Sequence, residues 1–474
     1  MEKNGLGYFS RRSRQGIETA TPAARRSVAL AALLAVSALC PGELCAQAPA
    51  PAPIAPPPAA SAETGRTLTL TVDQAVDIAL KNNLDIRQAE QDVAVSQANL
   101  RGAWAAMLMP TIQLAGSYEY TDVIQSAFAY PYNDTYSAGL QVTRALFAGG
   151  RYWFAKESAR LSSDFALFKL TNEKKTIVRN TRTNFYNLLL LKTLLLQAQA
   201  TDKYLKDHLD STRINFQNGL ASQLDYLTDQ VKYLNNKPLL DQAENGYEIG
   251  KATFAFFLGL PAGQTVEPQG NLEDSTAIRP LLTDEDKILA AAVSLDLGVR
   301  TADYNILVSQ ANAAAAAASR SPSVSGNFTY AFSTRAAAGG REFSPGWTLT
   351  LSAVVPLDAW IPYVSVVSNQ LMSADELTAK LKLAKEQAVG ALRTNIKTLL
   401  LNITYAQASI ESQKENMNQA KLALDIAQKQ YREGTLSSLN LSNAEVTYNQ
   451  AAANYLQALY AGYTNILALN DLIE

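Results

Sequence analysis

Between Ile112 and Tyr120 the sequence IQLAGSYEY alternates residue by residue. Ile112, Leu114, Gly116, Tyr118 and Tyr120 would share one face of an extended chain, and Gln113, Ala115, Ser117 and Glu119 the other. Three more stretches behave alike. Ala138, Leu140 and Val142 oppose Ser137, Gly139, Gln141 and Thr143; Val324, Phe328, Tyr330 and Phe332 oppose Ser325, Asn327, Thr329 and Ser333; Trp347, Leu349 and Leu351 oppose Thr348, Thr350 and Ser352. A period of two predicts strands at about 111–123, 136–146, 323–334 and 346–356, each with one apolar and one polar face.

Elsewhere the period is helical. Positions 403, 406, 410, 413, 417, 420, 424, 427 and 431 step alternately by three and four and hold Ile, Ala, Ile, Gln, Met, Ala, Leu, Ala and Tyr. This is a heptad seam interrupted only by Gln413, with alanines that let helices approach closely. Two proline-free helices are expected at about 152–218 and 364–433, each on the order of 100 Å long at the rise of an α-helix.

These patterns occur twice. VSQAN at Val95 recurs at Val308; around it NLDIR at Asn83 faces SLDLG at Ser294, Pro110 faces Pro322, and IQLAGSYEY faces VSGNFTYAF. Further on, FQNGLASQLDYL at Phe216 faces YREGTLSSLNLS at Tyr431, bringing Gly219 opposite Gly434. The preserved order argues for a duplicated unit, with repeat 1 at 67–270, repeat 2 at 271–474, and a helical turn near each of the paired glycines.

The N-terminus narrows the setting. Arginines, the apolar run VALAALLAVSAL from Val28 and the small residues of LCAQA have the order of a secretory signal peptide, taken as residues 1–46. Residues 47–66 are almost all Ala and Pro and read as an extended tether. Cys40 and Cys45 would leave with the leader, so His208 is the one remaining residue of the usual metal and acid–base types outside the carboxylates. No cofactor, metal or enzymatic constellation is expected. GYEIGKA at Gly246 is one residue short of a phosphate loop and has Ala252 where a magnesium-binding hydroxyl belongs. A net charge of −2 gives no electrostatic case for nucleic acid. The most apolar helical stretch, YNLLLLKTLLLQA, carries Lys192 in its middle and reads as buried helix.

A half-buried soluble sheet would also alternate, but aromatic strand ends in a secreted chain favour a sheet facing lipid on one side and water on the other. Every backbone donor in lipid must be paired, so four strands must close with copies of themselves. Two chains would supply eight strands and three would supply twelve; long helices around a wet lumen suit the larger number.

The duplicated unit, the strand pair between helices, LFAGG at Leu146, the FxxG turn at Phe216 and YxxG at Tyr431 before an Ala-rich last helix resemble the TolC-like outer membrane efflux protein family. The resemblance covers about Thr67 to Asp471. It implies an α+β membrane protein: a homotrimer with a 12-stranded β-barrel in outer-membrane lipid and long antiparallel coiled-coil helices forming a periplasmic tunnel. A periplasmic adaptor protein and an inner-membrane pump would dock on it. The function implied is a passive exit channel of a tripartite efflux or type I secretion system. The rival reading is a secreted, non-channel coiled-coil protein of the envelope.

By the same resemblance Asp225 and Tyr431 would hold the tip shut. Gly219, Leu220, Ala221 and Ser222, with Gly434, Thr435, Leu436 and Ser437, would form the tip turns and meet the adaptor. The family's gate arginine is replaced by Leu436, and the acidic ring of some members corresponds to the uncharged Asn440 and Asn443. Gln113, Glu119, Gln141, Thr143, Asn327, Thr329, Thr348 and Thr350 would line the barrel, a neutral surface apart from Glu119. The family often has Pro before the Leu-Phe of LFAGG; here it is Ala145, whereas the second copy keeps Pro356-Leu357.

Overall fold

A computed structural model describes residues 67–120, 134–261, 263–272, 280, 284–337, 340–361, 363 and 365–473. The expected signal peptide, the Ala/Pro tether, both cysteines and the end of the first strand at 121–123 lie outside the described residues.

The chain begins with β1 (Thr67–Leu70), α1 (Val72–Asn82) and α2 (Leu84–Leu108), followed by β2 (Thr111–Tyr120), β3 (Asp134–Ala148), α3 (Arg151–Gln217) and α4 (Gln223–Phe257). After β4 (Thr265–Pro268) the order repeats: α5 (Glu285–Ala292), α6 (Leu297–Ala318), β5 (Ser323–Ala337), β6 (Gly340–Val354), α7 (Val366–Arg432) and α8 (Ser438–Asp471). Helices α3 and α7 each have 67 residues. The shorter helices α2 and α4 pack along α3, and α6 and α8 along α7, so each long rod is flanked by two half-length partners.

The seam on α7 is realised. Ile403, Ala406, Ala420 and Ala427 are buried, and Ile410, Gln413, Met417, Leu424 and Tyr431 are half-buried. Asn83 and Asp296 start α2 and α6 by accepting backbone N–H bonds on their side chains. These caps stand equally far ahead of the two VSQAN segments, whereas the pairing of NLDIR with SLDLG sets Asn83 against Ser294. The structural register therefore follows VSQAN, and the two capping residues are equivalent by position although they differ in kind.

Strands β2-β3-β5-β6 form one antiparallel sheet in that order, leaving β2 and β6 as edges. Its register sorts side chains into rows. Gln113, Gln141, Thr329 and Thr348 lie opposite one another, as do Thr111, Thr143, Asn327 and Thr350. Interleaved on the other face run Ile112, Val142, Phe328 and Leu349, then Leu114, Leu140, Tyr330 and Trp347. The apolar rows are exposed: Leu114 by 75%, Trp347 by 69% and Leu349 by 60%.

The main core lies around the middle of α3. Phe185, Leu188 and Leu189 pack against Phe254, Leu258, Leu459 and Tyr463, and the parallel pair β1–β4 adds Leu70 and Val266. This explains the leucine run. Lys192 reaches out of it to Glu267 Oε1 at 2.8 Å and to the carbonyl of Pro268 at 3.2 Å, so its charge sits at the rim of the core. A second cluster joins Ile288 and Val299 to Leu392, Ile396, Ile403 and Leu469. No helix among the described residues is long and apolar enough to cross a membrane. Gly246 lies inside α4, so GYEIGKA is helix and not a phosphate-binding loop.

Candidate gate at the paired helical tips

Helix α3 reverses into α4, and α7 into α8, through matching turns. Gly219 and Gly434 have φ of 74° and 73°, the left-handed conformation that glycine adopts without Cβ strain. The Gly219 N–H donates to the carbonyl of Phe216 and the Leu220 N–H to that of Asn215; the Gly434 N–H donates to Tyr431 and the Thr435 N–H to Gln430. These paired bonds are the Schellman ending of a helix, and they explain the FxxG and YxxG spacing: the aromatic residue supplies the carbonyl that the glycine caps.

The next helices start at Ser222 and Ser437. Ser222 Oγ accepts the Asp225 N–H while the Asp225 carboxylate accepts both the Ser222 N–H and its hydroxyl, a capping box that occupies Asp225 at the start of α4. Ser437 Oγ accepts from the Asn440 N–H. Leu220 is 79% exposed at the apex of the first turn; Ala221 and Leu436 are half-buried, and Asn440 and Asn443 are exposed.

The carboxylate most closely held at the tips is one the sequence did not single out. Asp229, one helical turn after Asp225, is 2% exposed. Its Oδ2 accepts from Thr212 Oγ1 on α3 at 2.8 Å; its Oδ1 accepts from Ser438 Oγ on α8 at 2.8 Å and from Lys232 Nζ at 3.2 Å. Lys232 Nζ also donates to the carbonyl and hydroxyl of Ser438 at 3.3 and 3.1 Å. His208 Nε2 stands 3.4 Å from Asp229 Oδ2, and the Tyr431 ring of α7 meets the imidazole edge-on at 5.0 Å between centroids. Helices α3, α4 and α8 thus bond one carboxylate, and α7 reaches it through His208.

Charge and burial set the protonation of the group. Burial pushes the Asp229 carboxyl up, but the Thr212 and Ser438 hydroxyls, His208 and Lys232 together hold it below its ordinary value. Burial and the nearby Lys232 lower the proton affinity of His208 against the pull of Asp229. Tyr431 is shifted up by burial and by Asp229, with a smaller contribution from Asp225. Burial also raises the Glu445 carboxyl of α8 to about 7, opposed by a hydrogen bond from Tyr204. Tyr204 and Glu445 also line a cavity of about 520 Å³ between α3, α7 and α8.

Tyr431 therefore packs on His208, the neighbour of Asp229, with Asp225 acting on it through space while bonded to Ser222. The sequence carried a faint trace of this cluster. Tyr204, His208 and Thr212 recur every four residues on α3, and polar residues on the packed stripe of a coiled coil have to find partners.

Long paired helices carrying a sheet with one apolar, exposed face and open edges fit a channel-forming envelope protein. The outer membrane efflux protein family model matches residues 75–260 and 290–473, one match in each repeat, and the chain belongs to that family. Among curated relatives, the Pyoverdine export outer membrane protein OpmQ of Pseudomonas putida is 22% identical over 398 residues, covering 80% of each chain. The Outer membrane protein TolC of Escherichia coli is 23% identical over 408 residues, covering 83% of this chain and 80% of that one. Among solved structures, the Campylobacter jejuni CmeC outer membrane channel superposes with a TM-score of 0.70 at 13% identity, covering 85% of each chain. A CusC structure gives 0.68 at 18%, covering 86% of this chain and 93% of that one. The chain is accordingly an outer-membrane protein with its helical tunnel in the periplasm, and its family consists of channels rather than enzymes.

Proposed function

We propose that three copies of this chain close their sheets into one 12-stranded barrel, and that the trimer is the passive exit duct of a tripartite efflux or type I secretion system. The observation that carries this reading is the four-stranded sheet itself: among the described residues its two edges lack partners, and one broad face is apolar and exposed. A sheet with such edges cannot stand in lipid alone. A second observation supports association: Leu224, Leu227, Val231 and Leu234 form an exposed three-and-four-spaced apolar row on α4, suited to a helix of another copy.

In this assembly Gln113, Glu119, Gln141, Thr143, Asn327, Thr329, Thr348 and Thr350 face the lumen, a hydrated and nearly neutral wall that favours no strong charge class. The turns at 219–222 and 434–437 form the periplasmic mouth. There Asp225 and Tyr431 contribute to closure, Asn440 and Asn443 line the aperture, and a periplasmic adaptor linked to an inner-membrane pump engages the turn residues. Family membership supports this reading over that of a non-channel coiled coil.

Purified protein reconstituted in a planar bilayer tests the proposal. A trimer conducting ions is expected; a monomer with no conductance overturns it.

A further inference from the structure

The cluster around Asp229 has a property that the tip turns lack: it joins two hairpins of the same chain. Helices α3 and α4 form one hairpin and α7 and α8 the other; Asp229 and Lys232 of the first both bond Ser438 of the second at the tips, and further from the tips Gln197 and Thr201 bond Asn449. Whatever spreads the hairpins must break the Asp229–Ser438 and Lys232–Ser438 bonds. The interior also holds two groups that can change charge near neutrality, one on each hairpin: His208 on α3 and Glu445 on α8.

We propose that Asp229, Lys232 and Ser438 form a clasp holding the two tip hairpins of one chain together, and that the protonation of Glu445 and His208 sets how tightly it closes. This rests on the reading of the tips as the mouth of a channel, and it assigns Asp229 and Lys232 as positioning residues and the pair Glu445 and His208 as the proton-responsive element.

The charges facing the cluster are Tyr204 and His208 from α3, Asp225, Asp229 and Lys232 from α4, Tyr431 from α7 and Glu445 from α8. With Glu445 and His208 both neutral, the interior holds one compensated pair, Asp229 and Lys232. Ionising Glu445 adds a second carboxylate near Asp229, which itself raises the Glu445 pKa. Protonating His208 adds a second cation near Lys232, which opposes that protonation. Each event puts an extra charge into a partly desolvated space.

The signs follow by linkage. In the closed clasp Glu445 keeps its proton up to about pH 7, against an ordinary 4.5, so raising the pH through that window favours separated hairpins. His208 has a closed-state pKa below its ordinary 6.5, so lowering the pH through 6.5 favours separation from the acid side. Below 6.5 the two groups oppose each other, so the net loosening is felt as the pH rises from 6.5 through about 7. The cavity lined by Tyr204 and Glu445 gives protons a route to the carboxyl.

Spin labels at Asn218→Cys and Glu433→Cys report the separation of the two turns, in a background with Cys40 and Cys45 replaced by Ser; both labelled residues are exposed and outside the clasp. From pH 6 to pH 8 the long-distance population is expected to grow several-fold. Glu445→Gln should abolish that growth, His208→Gln should make the long-distance population fall between pH 6 and pH 5, where in wild type the two groups offset each other, and Asp229→Asn should give a large long-distance population at every pH. Circular dichroism confirms unchanged helix content in each variant. A wild-type distribution that is constant from pH 5 to pH 8, or a Glu445→Gln variant that keeps the pH 8 response, overturns the clasp. Because the distance does not depend on conduction, a pH-responsive tip in a non-conducting protein sinks the channel reading alone.

Discussion

Thr212 Oγ1 donates to Asp229 Oδ2 at 2.8 Å across the first tip hairpin, and neither residue has more than 4% of its surface exposed. The bond ties the end of α3 to the start of α4 and orients a carboxylate whose other oxygen reaches the second hairpin. Asp229→Ala should therefore cost more than the loss of one hydrogen bond, since it leaves Lys232 without its buried counter-charge. Roughly 3 kcal/mol is expected, measured by denaturant unfolding in detergent. Thr212→Val should cost about 1 kcal/mol.

Gly219 and Gly434 present a separable test of the turns. Nothing lies within 4 Å of the place a Cβ would occupy at either residue, so substitution strains the backbone without creating a clash. Alanine at either position should cost about 1 kcal/mol, and asparagine, which tolerates the left-handed region, distinctly less. Equal losses for both substitutions in thermal unfolding would contradict this account.

The faces of the sheet predict opposite tolerances. Trp347 and Thr348 are neighbours on β6 that point to opposite sides. Trp347→Lys should destabilise insertion by roughly 2–4 kcal/mol per chain and deplete the detergent-resistant oligomer on unheated gels, whereas Thr348→Lys should leave it intact. Depletion by both in equal measure would show that the two faces are not lipid and water.

A pH-dependent difference is expected at Lys192. Burial raises the Glu267 carboxyl, but Lys192 and Tyr247 outweigh it and hold it below 4.5. A depressed carboxyl contributes stability that is present above the unfolded value and lost as the pH falls through the folded one. Lys192→Ala should thus be less stable than wild type near pH 7, by about 1 kcal/mol given that both side chains are about one-third exposed, and the two should converge in acid. Parallel stability curves from pH 7 to pH 3 would exclude the pair as the cause.

Lys156 offers a spectroscopic check at the junction of helices and sheet. Its ammonium sits 3.8 Å from the ring centroid of Trp153 and 4.6 Å from that of Trp104, and the residue is 8% exposed. Lys156→Met keeps the length and removes the charge; it should cost roughly 1–2 kcal/mol and alter the tryptophan emission.

What could be read from the sequence was what repeats with a short period. The rows of Gln113 and Ile112 follow from strict alternation, which leaves one register with all apolar side chains together. The α7 seam follows from heptad spacing, and the turns from glycines in a repeated context. The Asp229 cluster was hidden because its members come from four helices, and their meeting depends on the axial offset between two hairpins. Taken singly, Thr212, Asp229, Lys232 and Ser438 look like solvated helix residues. Asp225 drew attention through the family resemblance, yet its nearest bonds serve the local helix start. The different capping residues Asn83 and Asp296 hid the true register of the repeat at that point for a related reason: two side chains performed one local task.

Lys192 has a consequence that begins before the fold exists. An outer-membrane protein must first pass completely through the inner membrane as an unfolded chain, and there a long leucine stretch risks being held as a stop. A lysine at the centre of an inserting segment costs about 2.5–3.5 kcal/mol in that decision, enough to turn YNLLLLKTLLLQA from an anchor into passing cargo. Its later bond to Glu267 gives the same charge a place at the edge of the finished core.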